Sequence, residues 1–340
     1  MHDQAHFELS MSALRQQLAA LEQHSDSISY SLKTNYEVGK VLQQISNCMV
    51  SVHSPEESTL IRDPARQLYF AQAWDQEELR TLLQRGITSF VVDNKNDLDI
   101  LLNSLTKPIN LMLRMRLKEH SVHTGKHFVY GFYSAEVNKL IPMLKANRNI
   151  SKLGIHFHRK TQNVSEWSIK DELQQSLLPA TLGKITIVNI GGGLPSVYVN
   201  YRPEIINPIF SKITELRQWL TSQNIQMIIE PGRFIAAPAI KLITKIKNIY
   251  NDTIIINASV YNAAMDTFIA NIRLLVQEES PEGQSYTIKG CTPDSVDIFR
   301  YKVYLKDPKI GDTLTFLNAG AYNFTTDFCL LPKLETKIVE

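Results

Sequence analysis

Ile28-Ser-Tyr-Ser-Leu-Lys-Thr-Asn35 begins as an apolar, β-branched run, Ile28–Lys33, that ends on a lysine. Seven runs of like kind follow, at Cys48–His53, Gln67–Ala71, Ser89–Asp93, Asn110–Met115, Lys152–His158, Lys184–Ile190 and Met227–Glu230. Amphipathic stretches with helical spacing separate them, among them Asp75–Arg85, Ser134–Ala146 and Glu204–Ser222, the first opened by an aspartate placed to cap it. Strands alternating with helices imply right-handed parallel crossovers. Eight such units predict an α/β fold, a (β/α)8 barrel of the TIM type.

After Arg233 the pattern changes. Ile240–Tyr250, Thr253–Asn257, Ser285–Lys289 and Thr313–Leu317 read as strands with few helical stretches between them. The expected division is a barrel over 10–238 and a smaller β-rich domain over 239–340. Residues 1–9, through the strand-like Phe7-Glu-Leu9, are a candidate addition to the second domain. A chain of 340 residues with 44% hydrophobic composition suffices for both.

Composition narrows the function classes. A formal net charge of +2 gives no electrostatic case for nucleic acid or an anionic membrane surface. No apolar run approaches the length of a transmembrane helix, and Met1-His-Asp-Gln-Ala-His6 lacks the regions of a signal peptide. Three cysteines, Cys48, Cys291 and Cys329, without CxxC spacing speak against a disulfide framework and a zinc knuckle. A soluble cytoplasmic protein is expected.

Barrel enzymes carry their chemistry at the C-terminal ends of the strands, with phosphate commonly in the loops after strands seven and eight. Lys33 ends the first run, Arg114 the fifth and His158 the sixth. Gly191-Gly-Gly193 follows the seventh, and Glu230-Pro-Gly-Arg233 ends the eighth. Each residue also has a plainer reading. Lys33 alone could be a solvated cap, the glycines a flexible turn, Glu230 a surface carboxylate and Arg114 a structural ion-pair partner. His156 and His158, at i and i+2 on a strand, share a face and could hold zinc.

The set is more specific than its parts. Lys33-Thr-Asn35, Gly154-Ile-His-Phe-His158, Asn189-Ile-Gly-Gly-Gly193, Ile229-Glu-Pro-Gly-Arg233, Gly290-Cys-Thr-Pro-Asp-Ser-Val-Asp297 and Asn318-Ala-Gly-Ala-Tyr322 occur in this order. Together they resemble the alanine-racemase-like, fold-type III pyridoxal phosphate (PLP) enzymes, in particular the ornithine/diaminopimelate/arginine decarboxylase group. The resemblance implies that Lys33 binds PLP covalently, through an amine that burial keeps neutral part of the time. It implies a phosphate cradle of Gly191, Gly192 and Gly193, completed by Gly232, Arg233 and Tyr322, with Thr161 in place of a serine. It implies that Glu230 pairs with the pyridine nitrogen, so that the ring accepts the electrons released when a carboxylate leaves. Related racemases carry arginine there, so Glu230 favours decarboxylation. By the same resemblance His158 stacks on the ring, and Arg114 supports the lysine and ring. Arg159-Lys160 departs from a small apolar pair and is expected to reshape the pocket wall. Amidohydrolase barrels carry HxH on the first strand rather than the sixth, and no acidic ligand is marked out here, so no metal is expected. The histidines at 120, 123 and 127 read as solvated loop residues.

The family usually reads Gly-Pro-Thr-Cys-Asp-x-x-Asp near the start of the second domain. Its cysteine comes from the partner subunit and helps protonate the product. Here Pro293 takes the cysteine position, with Cys291 two residues earlier. Either Cys291 reaches in, or Tyr322, His158 or a water supplies the proton. Asp294 matches the carboxylate that binds the distal ammonium of diamines. A second acidic position falls on Ala270, with Asp266 one helical turn earlier as its candidate substitute. Arg273 is a candidate for a substrate carboxylate or phosphate, and Ser51 replaces an aspartate near the lysine. The expected activity is decarboxylation of an L- or D-amino acid, or of an amino-acid head on a larger metabolite, in polyamine or natural-product metabolism. A homodimer with shared sites is expected. The alternative is a PLP-binding regulatory or altered homologue without turnover.

Overall fold

The computed structural model describes residues 4–70, 72–117, 130–201 and 203–340. Ala71 and the histidines at 120, 123 and 127 lie outside the described residues. Strand β1 (His6–Ser10) leads into a helix, Met11–Glu22. All eight runs expected in the barrel are strands: β2 (Ser27–Ser31), β3 (Met49–Val52), β4 (Gln67–Phe70), β5 (Ser89–Val92), β6 (Ile109–Arg114), β7 (Ile150–His156), β8 (Ile187–Asn189) and β9 (Gln226–Ile229). Each pairs in parallel with the next, and β9 pairs with β2, so the sheet closes. The compact barrel unit comprises Ala20–Leu194 and Ile205–Gly232.

Closure follows from what these strands bury. All four residues of β5 are buried, as expected of a parallel strand covered on both faces. Leu68, Val91, Met112, Ile187 and Ile228 from five strands form one buried cluster, against which Met49 and Phe70 pack. Each such side chain contributes about 1.5–3 kcal/mol on leaving water. Helix Gln76–Gln84 begins where expected, because the Asp75 side chain accepts the Glu78 N–H at 2.8 Å. Register then sets the level of the polar residues. Arg114 pairs with His156, His156 with Asn189, and Ser31 with Ser51. A one-residue slip would turn each of these side chains to the opposite face.

The second compact unit takes the residues up to Ala19, Pro195–Glu204 and everything from Arg233 on. Residues 10–19, 195–204 and 233–238, grouped with the barrel by sequence pattern, carry no barrel strand. This unit is a mixed sheet of β10 (Ile240–Tyr250), β11 (Thr253–Ile256), β12 (Leu275–Val276), β13 (Gln284–Lys289), β14 (Ile298–Leu305), β15 (Thr313–Leu317) and β16 (Glu335–Val339), together with β1. β1 runs antiparallel to β10 and parallel to β16.

Candidate active site

Lys33 sits on a single 3-10 turn, Leu32–Thr34, between β2 and helix Tyr36–Ile45. Asn35 secures that turn. Its side chain accepts the Val38 N–H at 3.0 Å, and its carbonyl accepts the Tyr30 hydroxyl at 3.0 Å. On the other side the Ser31 N–H donates to the Pro231 carbonyl at 3.1 Å. The Lys-x-Asn spacing thus has a mechanical reason, since the asparagine caps the helix that starts the lysine's own loop. Leu32 and Thr34 are buried, whereas Lys33 reaches a pocket it shares with His53, Phe70, Arg114, His156, His158 and Glu230. Lys33 stays reachable from the pocket mouth, yet protein surrounds it closely enough that desolvation lowers the pKa of its ammonium. Arg114 acts in the same direction, and Glu230 and Glu57 oppose it.

Glu230 lies just past β9 and is buried. Three side chains from three other strands donate to it. Ser51 Oγ and Asn189 Nδ2 reach Oε1 at 2.8 and 3.0 Å, and His156 Nε2 reaches Oε2 at 3.0 Å. Burial pushes the carboxyl up, but His156, Ser51 and Asn189 outweigh it and hold it down to about 2. The result is a buried carboxylate whose charge is held chiefly by His156, with Ser51 and Asn189. His156 spends its Nε2–H there, while its buried Nδ1 has no partner among the described residues. Burial lowers the pKa of that ring, which favours its neutral form. Ser29 Oγ backs Ser51 Oγ at 2.8 Å.

The triple glycine turns directly beneath this group. Gly191 and Gly193 have φ of +66° and +98°, in the left-handed region that favours glycine. A Cβ on Gly191 would collide with the Phe157 carbonyl, and one on Gly192 would crowd the Glu230 carbonyl. The Gly192 N–H donates to His158 Nδ1 at 3.2 Å, and the Asn163 N–H donates to the Gly193 carbonyl at 2.9 Å. His158 therefore carries its proton on Nε2 and leaves its ring exposed. A Cβ on Gly232 would strike Thr34 Oγ1, which is buried without a partner among the described residues. The Arg114 guanidinium lies 3.8 Å from the centroid of the Tyr130 ring.

A family model described as "Pyridoxal-dependent decarboxylase, pyridoxal binding domain" matches residues 12–237. The chain belongs to the pyridoxal-dependent decarboxylases. It is 24% identical over 329 residues to the probable ornithine decarboxylase of Dictyostelium discoideum, covering 87% of this chain and 70% of that protein. It is 24% identical over 300 residues to the diaminopimelate decarboxylase of Aquifex aeolicus, covering 82% and 71%. The diaminopimelate decarboxylase of Helicobacter pylori, solved in complex with L-lysine, has the same fold, with a TM-score of 0.84 at 18% identity over 100% of this chain and 92% of that one.

The barrel residues fit the cofactor of this decarboxylase family. A buried carboxylate lining the pocket suits a protonated pyridine nitrogen, and Lys33 opens onto the same pocket. The Gly193 N–H, without a hydrogen bond among the described residues, is a donor for phosphate. Thr161 is exposed on the loop that Asn163 ties to this turn. Arg159, expected with Lys160 to reshape the pocket wall, is not among the side chains lining the pocket. It is fully buried and ion-paired with Glu172, because a guanidinium off the strand end has two glutamates, Glu166 and Glu172, within reach.

The other expected site residues of this decarboxylase lie in the sheet unit. Arg233 is buried, with both terminal nitrogens on Asp266 and Nη1 also on the Tyr198 hydroxyl at 3.0 Å. This corrects the expectation for Asp266. Its carboxylate is spent on Arg233 rather than held ready for a substrate ammonium. Desolvation pushes the Asp266 carboxyl up and Arg233 pulls it down. Tyr322, at φ +50°, has its ring centroid 5.4 Å from the Arg233 guanidinium. Asp294 accepts the Tyr261 hydroxyl at 2.5 Å, while Arg273 donates to the Ile298 carbonyl at 3.4 Å and faces the Tyr301 ring. Cys291 is exposed, and its thiol is pushed up by desolvation and by Asp297. Sequence reasoning gave no role to Ser51, Asn189 or His156 as partners of Glu230, nor to His53. His53 closes the second run, so the strand-end rule that found Lys33 also marks it.

Proposed function

We propose that this chain decarboxylates an amino acid, or an amino-acid head on a larger metabolite, with pyridoxal phosphate. The observation that carries this is Glu230, a buried carboxylate bonded by Ser51, Asn189 and His156 in the pocket that Lys33 shares. Pyridoxal phosphate, when bound, supplies an electron-withdrawing ring that takes up the pair left as CO2 departs. Lys33 would hold the cofactor through its amine, whose pKa desolvation lowers. With the cofactor bound, Glu230 would hold the proton of the pyridine nitrogen, His158 would contact the ring, and the glycine turn would offer the Gly193 N–H to the phosphate. Arg114 also lowers the pKa of the Lys33 ammonium.

The same reading places the protein in the cytoplasm as a homodimer with shared sites. Asp294 and Cys291 lie on the sheet unit, where Phe268, Ile269, Phe328 and Leu330 are exposed. A second copy covering that face would bury them. Sedimentation velocity should give a dimer, and a monomer would remove this part of the reading. No helix among the described residues is long and apolar enough to cross a membrane.

The test of activity starts from protein mixed with PLP, reduced with borohydride and mapped by mass spectrometry. A pyridoxyl group on Lys33 and CO2 release from ornithine, lysine, arginine or diaminopimelate support the proposal. An unmodified Lys33 sinks it, and a loaded but inert protein leaves the regulatory homologue standing instead.

A further inference from the structure

His53 stands beside Lys33 in the pocket, immediately after β3, and no motif accounts for it. Its ring lies flat on Phe70, with centroids 4.9 Å apart and planes inclined by 15°. Its Nδ1 lies 3.3 Å from Glu57 Oε2, and the same oxygen accepts the His53 backbone N–H at 2.7 Å. Glu57 is itself fixed. The Tyr36 hydroxyl donates to Oε1 at 3.3 Å, and the Glu57 N–H donates to Ser54 Oγ at 3.1 Å, the cap of helix Pro55–Thr59. A carboxylate on Nδ1 sets the tautomer and stabilises an imidazolium. Nε2 then has no hydrogen bond among the described residues, on a side chain 28% exposed that lines the pocket.

Resting on the decarboxylase reading, we propose that His53 delivers the proton to substrate Cα, with Glu57 positioning it. Decarboxylation consumes one proton per turnover. The bond from Cα to the carboxyl carbon breaks and leaves its electron pair on the substrate side. The Nε2–H bond of protonated His53 then breaks as the new C–H bond forms. The ring is left neutral, with Nδ1–H still on Glu57, and solvent at the pocket mouth restores the proton. The alternatives are poorer. Pro293 has no proton to give. His156 also has a carboxylate, but its remaining nitrogen is buried. His158 has only Gly192 on Nδ1, and no carboxylate to stabilise its charged form.

The charged and titratable groups around His53 are Glu57 on its Nδ1 and, across the pocket, Lys33, Asp93, Arg114, Tyr130, His156, His158 and Glu230. Burial lowers its pKa most strongly, Lys33 acts the same way, and Glu57 and Glu230 oppose them. The protonated form is therefore lost as pH rises through a value below the ordinary imidazole range. Amine formation should fall with it.

The experiment compares loaded wild type with H53Q, H53A and E57Q, using ornithine, lysine, arginine and diaminopimelate as probes. Pyridoxyl mass on Lys33 reports loading, independently of turnover. H53Q should load normally, form amine about 10²–10⁴-fold more slowly and lose the alkaline limb. Free imidazole should restore part of the rate to H53A, an effect that a merely structural ring would not allow. E57Q should move the limb to lower pH, because Glu57 supports the charged ring. The proposal falls if H53Q matches wild type within about threefold, or if H53A is slow but imidazole does not help. Should H53Q fail to load, the limb of E57Q decides, and an unmoved limb overturns the proposal. A loaded wild type that releases no CO2 brings down the decarboxylase reading together with this one. An active wild type matched by H53Q brings down this one alone.

Discussion

Glu230→Gln should remove a pH-dependent share of stability from the cofactor-free protein. A glutamate of ordinary pKa 4.5 held at about 2 favours the folded state by about 3 kcal/mol at neutral pH, at roughly 1.4 kcal/mol per decade. Because the folded value is the depressed one, this stabilisation is fully present above 4.5 and is lost as pH falls toward 2. Glutamine has the same shape. Its carbonyl keeps Ser51 and Asn189, and its amide meets His156, whose neutral ring can change tautomer since Nδ1 has no partner to lose. The fold therefore survives the change. Urea unfolding of wild type and variant near pH 7 and near pH 3 isolates Glu230 from the other carboxylates by difference. The gap should narrow by about 2 kcal/mol between the two conditions. A gap that stays constant would refute the claim that His156, Ser51 and Asn189 hold this carboxylate ionised. In the loaded enzyme the same change removes a charge-assisted bond worth about 1.5–3 kcal/mol, so kcat should fall about ten- to hundredfold.

Asp266→Ala leaves the Arg233 guanidinium buried without its carboxylate and should cost about 3–5 kcal/mol, read as a lower Tm. Were Asp266 a substrate ligand, KM would rise with Tm unmoved. Ser51→Ala deletes one of three donors to Glu230 and should cost about 1–2 kcal/mol in urea unfolding and weaken PLP binding measured by absorbance. Gly191→Ala meets both a positive φ and the Phe157 carbonyl, and should lose about 1–3 kcal/mol along with cofactor binding. Gly183→Ala, whose nearest neighbour would be 3.6 Å away, should stay within about 0.5 kcal/mol of wild type.

The barrel was legible because each of its strands is a dense apolar run flanked by helical spacing, the signal least confounded by long-range contacts. β14 was missed for the opposite reason. Arg300 interrupts its apolar alternation, yet the residue is buried with its guanidinium on the Leu274 carbonyl. β12 and β16 are short or exposed, so periodicity has little to act on. Lys33 and Glu230 stood out at strand ends, but Ser51, Asn189 and His156 did not. Their importance depends on a shared partner, and the register that brings them to Glu230 is set by pairing between strands far apart in the chain. Asp266 was misjudged for the same reason, because Arg233 lies 33 residues away and no local pattern joins them.

The donor shell around Glu230 makes the site's electronic character a property of four strands. Exchanging Glu230 for arginine, as in the related racemases, would press a guanidinium against three groups that point hydrogens at it, with Lys33 nearby adding like charge. Ser51, His156 and Asn189 would have to become acceptors at the same time. Ser51 can rotate its hydroxyl and His156 can change tautomer, but Asn189 accepts the Gly191 N–H through Oδ1, so its amide hydrogens stay aimed at position 230 and that strand alone resists the exchange.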